Sequence, residues 1–153
     1  MTCFGLGLIP FAPGTFGSLF GLALVFILSF LSWPIYFATT ILICAVSLWL
    51  VGVYLNSTLS KDPKEVVIDE VVGILVTFLL VPVSWVNLVI GFLLFRFFDI
   101  VKPPPISFFD RKVPGSTGVM ADDIVAGAIV NLIFHFLILP TGTLGKIEIF
   151  FGL

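Results

Sequence analysis

The first sixty residues of this chain contain no Asp, Glu, Lys or Arg; the first charged side chain is Lys61. A domain folded in water must cover itself with polar side chains, and this stretch has almost none to offer. The remainder is little different. Charged residues make up 10% of the sequence and mean hydropathy is +1.26, whereas soluble domains carry about 25% charged residues. The reading that follows is an all-α integral membrane protein, with residues 1–153 forming a single membrane-embedded domain. A cleavable signal peptide does not fit, because the N-terminus lacks Lys and Arg and its apolar region is too long. Cys3 and Cys44 stand in or beside apolar segments without a partnering motif and read as packing residues.

A bilayer core about 30 Å thick needs about 20 apolar residues per helix. Residues 16–32 and 35–55 satisfy this, with Trp33-Pro34 expected as the turn between them. Residues 66–101 are too long for one span, about 54 Å as a continuous helix. Pro82 interrupts them, so the expectation is two short helices, 66–81 and 85–101, joined at 81–84 as a hairpin that can be re-entrant. A last helix is expected over 120–139, giving a bundle of about five.

Five helices place every polar cluster on one side: loops 10–18, 56–70 and 102–123 and the end of the fourth helix. That side carries six of the seven basic residues and eight of the nine acids; only Lys146 and Glu148 lie opposite. By the positive-inside rule it is cytoplasmic.

Four groups of charged residues meet there: Asp69-Glu70, the helical stripe Arg96, Asp99 and Lys102, Asp110-Arg111-Lys112, and Asp122-Asp123. Acids at helix N-termini gain about 0.3–1 kcal/mol from the dipole. That accounts for one acid per helix and not for two adjacent pairs. A carboxylate near membrane depth costs about 2.5–3.5 kcal/mol, so Asp99 within FRFFDIV wants Arg96 or a metal ion. Oxygen ligands without His or Cys suit Mg²⁺. The small-residue loops PGTFGS (13–18) and VPGSTGV (113–119) each open a helix and offer backbone N–H groups to phosphate. His135 shares a helical face with Asp123, Gly127 and Asn131, but three turns below the acids, and reads as an interhelical hydrogen-bonding or packing residue.

The blocks PGTFGS (13–18), IDEVVG (68–73), RFFDIVKPPPI (96–106), FDR (109–111) and GSTGVMADDIVAG (115–127) resemble the phosphatidylglycerophosphatase A family of bacterial membrane lipid phosphatases. The resemblance implies Mg²⁺-dependent hydrolysis of the terminal phosphate of phosphatidylglycerophosphate, on the cytoplasmic side of a multi-pass bacterial inner-membrane protein. It carries over Thr15, Ser18, Asp69, Glu70, Arg96, Asp99, Lys102, Asp110, Asp122 and Asp123. The expected roles are catalysis by Asp69, Glu70, Asp99 and Asp123, and metal binding by Asp69, Glu70, Asp99, Asp122 and Asp123. Substrate binding falls to Thr15, Ser18, Arg96, Lys102 and Arg111. Water is the expected nucleophile, with one carboxylate as base. No nucleic-acid partner is expected. The rival reading is a small ion or metal transporter built on the same acids; it would want them near the midplane rather than gathered at one face.

Overall fold

The computed structural model describes residue 3, residues 12–57 and residues 66–140, with the backbone alone at 57 and at 110–112. All regular structure among the described residues is helical. The elements are α1 (Pro13–Leu28), α2 (Trp33–Ser57), α3 (Ile68–Thr77), α4 (Trp85–Val101), α5 (Ile106–Lys112) and α6 (Gly115–Ile133), the last continued by a π-helical turn, Phe134–Ile138. Two stretches, Trp33–Asn56 and Gly115–Ile138, are long and apolar enough to cross a membrane.

Local chemistry accounts for the boundaries, including those that differ from the sequence reading. Pro13 opens α1, where its missing N–H costs nothing. Pro34 does the same for α2, so Trp33-Pro34 begins a helix rather than forming the turn expected there; residues 29–32 make that turn, with Leu31 N–H donating to Leu28 O at 3.0 Å. The break at Pro82 stands as expected. Ser84 caps α4 by accepting from Asn87 N at 3.2 Å, and α4 covers 85–101. The third helix is shorter than expected, ten residues instead of the sixteen of 66–81. The described residues form six α-helices where a bundle of about five was expected: after Lys102, in the left-handed region at φ 45°, and the three prolines, the chain forms α5 where a loop was expected. Proline stops one helix, but it is well tolerated ahead of the first turn of the next.

α3 is only about 15 Å long, yet seven of its ten residues are buried. It packs most extensively on α6 and α1, within a core formed by Val25, Ile74, Leu75, Phe78, Phe95 and Phe134. A helix leaves its last four carbonyls unbonded, and buried carbonyls need partners. Val76 O takes the Leu79 N–H at 3.2 Å; other helices serve Leu75, Thr77 and the turn after α3. Tyr36 of α2 donates to Leu75 O at 2.9 Å. Asn131 of α6 donates to Thr77 O at 3.1 Å and Leu79 O at 2.7 Å, and Asn87 of α4 donates to Pro82 O at 2.7 Å.

The helices alternate in direction. The N-terminal turns of α1 and α3, the C-terminal turns of α2 and α4, and the start of α6 therefore meet at one end, as Gly14 beside Glu70 and Arg96, and Gly52 beside Ser116, show. At the other end a cavity of about 570 Å³ is lined by Leu28, Tyr36, Phe78, Asn131 and His135 among others.

Candidate active site

α3 and α6 run parallel and meet at three matched pairs, each four residues further along its helix. Asp69 faces Asp123, Gly73 faces Gly127, and Thr77 faces Asn131. The middle pair sets the approach. A Cβ on Gly127 would collide with Gly73 O, and one on Gly73 would come within 2.9 Å of Asp123 O and 2.5 Å of the Phe95 ring. Backbone thus lies directly against backbone, as small residues at a helix interface allow. The acids one turn away are drawn together as a result.

Oxygens of Asp69, Glu70 and Asp123 lie within 4.8 Å of one another. Asp69 and Asp123 are buried. Glu70 reaches across to α1, where a Cβ on Gly14 would strike its Oε1 and lie 3.2 Å from Arg96 Nη1. A side chain at residue 14 would displace the Glu70 carboxylate. Glu70 Oε2 is buried and has no hydrogen-bond partner among the described residues. Buried anions without partners are costly. Three carboxylates sharing one small volume, with an oxygen left unsatisfied, fit a divalent cation with hard oxygen ligands. The donor set passes that test.

The other two acids behave differently. Asp99 accepts from Arg96 Nη1 at 2.5 Å, and the same Nη1 lies 3.4 Å from Ser18 Oγ, which donates in turn to Gly14 O at 2.8 Å. Asp122 accepts from Lys102 Nζ at 2.5 Å. Each cation beside the cluster is thus held by its own carboxylate. Arg96 Nε is buried without a partner among the described residues, which leaves capacity for an anion.

The family model for phosphatidylglycerophosphatase A matches residues 1–138. This chain belongs to that family. Among its relatives are phosphatidylglycerophosphatase A of Escherichia coli K12, 40% identical over 141 residues (88% of this chain, 78% of the relative), and that of Haemophilus influenzae, 42% identical over 142 (88% and 83%). A Bacteroides thetaiotaomicron relative, 42% identical over 135 residues (82% and 83%), carries the provisional name phosphatidylinositol-3-phosphatase. No solved structure matches the chain.

In this member of the phosphatidylglycerophosphatase A family, α1, α3, α4 and α6 bring together Ser18, Asp69, Glu70, Arg96, Asp99, Lys102, Asp122 and Asp123. Thr15 sits half-buried on the first turn of α1, and no described hydrogen bond ties its hydroxyl to the cluster. The side chains of Asp110 and Arg111 lie outside the described residues. His135 stays away from the acids and bonds within its own helix. Its Nδ1 lies 3.0 Å from Asn131 O, one turn back on the same helix. Interhelical bonding or packing was the expectation; the described contact is intrahelical, and His135 also lines the cavity beside Tyr36 and Phe78. Gly73, Gly127 and Asn131 were not singled out for the site. Their i, i+4 spacing from Asp69 and Asp123 was the available signal.

Proposed function

We propose that this chain hydrolyses the terminal phosphomonoester of phosphatidylglycerophosphate to phosphatidylglycerol and inorganic phosphate, using Mg²⁺ held by Asp69, Glu70 and Asp123. Residues 1–153 act in this reading as one multi-pass domain of a bacterial inner membrane, with the site on the cytoplasmic side. The observation that carries the reading is the buried three-carboxylate cluster flanked by Arg96 and Lys102, in a family whose relatives bear this activity in their names. Exposed Phe30, Trp33, Trp49, Trp85 and Phe136 suit a lipid-facing surface. The gathering of charge at one end suits the positive-inside rule.

The bound cation would neutralise phosphate charge and lower the pKa of water. Around it, the chain supplies orientation. Arg96, steadied by Asp99, presents its planar guanidinium to the phosphate, and Lys102, steadied by Asp122, adds a point charge. Ser18, beside Arg96, flanks the same approach, and Thr15 and Arg111 are assigned to phosphate binding on the family resemblance alone. Water adds its oxygen to phosphorus while a carboxylate of the cluster takes its proton. The bond from phosphorus to the glycerol oxygen breaks, and that oxygen leaves protonated. The acyl chains remain in lipid throughout.

Purified protein in detergent micelles, offered phosphatidylglycerophosphate, phosphatidic acid and phosphatidylinositol 3-phosphate, should release phosphate fastest from the first. A preference for either of the others overturns the substrate assignment.

Lys102→Met is expected to raise KM about tenfold, the value of one charge-assisted hydrogen bond. Asp122→Asn should move KM the same way by less. The double variant should fall short of the sum, because each residue acts through the other. Steady-state kinetics on the folded variants decides this, and strict additivity would separate the two roles.

A further inference from the structure

The three matched pairs between α3 and α6 have different chemistry, and only one of them has direction. The glycine pair brings the backbones together, but a glycine surface is smooth and offers no side chain to stop one helix sliding along the other. The acid pair repels itself. The remaining pair is Thr77 with Asn131, whose amide nitrogen gives one hydrogen to Thr77 O at 3.1 Å and the other to Leu79 O at 2.7 Å. These carbonyls belong to the last turn of α3 and the turn after it, where the chain has no intrahelical donors left to offer. Sliding or rotating α3 against α6 would break both bonds.

We infer that Asn131 is a positioning residue: it sets the register of α3 on α6 and, through eight residues of each helix, about 12 Å, the placement of Asp69 opposite Asp123. It touches neither phosphate nor cation. Tyr36 does not duplicate it, since its single bond to Leu75 O joins α3 to α2 and leaves α6 unconstrained. The inference rests on the proposed cation site at Asp69, Glu70 and Asp123, and it explains why an uncharged side chain far from the charged end bears on that site.

The test uses the full chain in detergent and two readouts: the rise in unfolding temperature on adding Mg²⁺ or Mn²⁺, and the Mg²⁺ half-saturation of phosphate release. Asn131→Leu has similar volume and donates nothing. Asn131→Ala carries the same comparison if the leucine variant does not fold. His135→Phe, which removes a neighbouring bond on the same helix, is the control.

Wild-type protein should gain stability from the cation. Asn131→Leu should gain much less, with half-saturation raised about tenfold to a hundredfold, the range seen when groups behind metal ligands are lost. His135→Phe should respond as wild type does. If folded Asn131→Leu keeps the wild-type half-saturation, or His135→Phe shifts as far as it does, the positioning role is overturned while the cation site stands. If the wild-type protein gains nothing from either cation, the cation site itself fails and the inference fails with it.

Discussion

Asp123→Asn should lower kcat for phosphate release about a thousandfold while leaving the protein folded and, without metal, at least as stable as wild type. The two signs have one cause. Asp123 is buried beside Asp69 and Glu70, so removing its charge relieves repulsion that only a cation otherwise offsets. The same removal deprives the proposed cation of a ligand, and a correctly held cation would supply several kcal/mol of charge stabilisation, each 1.36 of which is worth about tenfold in rate. Asp69→Asn should behave alike. Unfolding in EDTA, compared with turnover at saturating Mg²⁺, measures both signs. A variant that loses stability in EDTA and keeps turnover would make Asp123 a structural residue.

The pairing of these acids was legible in part. Charge this rare in a greasy chain marks its site by scarcity, and Asp69, Glu70, Arg96, Asp99, Lys102, Asp122 and Asp123 do converge. Their division was not legible. Sequence places Asp99 three residues from Arg96 on one helical stripe but leaves open whether the carboxylate turns to Arg96 or to a metal. The ion pairs Arg96–Asp99 and Lys102–Asp122 depend on how the end of α4 meets α1 and α6, a tertiary matter. The same holds for the helices. The break at Pro82 and the limits of α4 follow from local rules, proline geometry and a serine cap. α5 is not legible in the sequence because three prolines announce the end of a helix more loudly than the start of another. α3 is shorter than its apolar run because tertiary donors, Tyr36 and Asn131, satisfy its last carbonyls and let it stop early.

Gly127→Ala carries the second large expected effect, and its sign is diagnostic. Alanine favours a helix over glycine by about 1 kcal/mol, so an unconstrained glycine would gain from the change. Here the new Cβ would collide with Gly73 O and lie 3.3 Å from Thr77 Oγ1. α3 must then move off α6, at a cost of about 1–3 kcal/mol for overpacking. Asp69 and Asp123 part with it, and a displacement of about 1 Å at a reacting centre costs about a hundredfold in rate. Net destabilisation with a hundredfold loss of phosphate release is the expected result. Gly52→Ala, where the Cβ would meet only the Ser116 side chain, its Oγ at an ordinary 3.4 Å, should be neutral or stabilising. If Gly127→Ala stabilises and remains active, the close contact of α3 with α6 does not set the site.

The proposed activity turns on a cation at Asp69, Glu70 and Asp123, needed to release phosphate from a phospholipid monoester. Its most direct test is phosphate release from phosphatidylglycerophosphate by the purified protein, first in EDTA and then with Mg²⁺ restored in excess. Near-complete loss in the chelator and full recovery with Mg²⁺ are expected; an undiminished rate in EDTA would remove the cation from turnover.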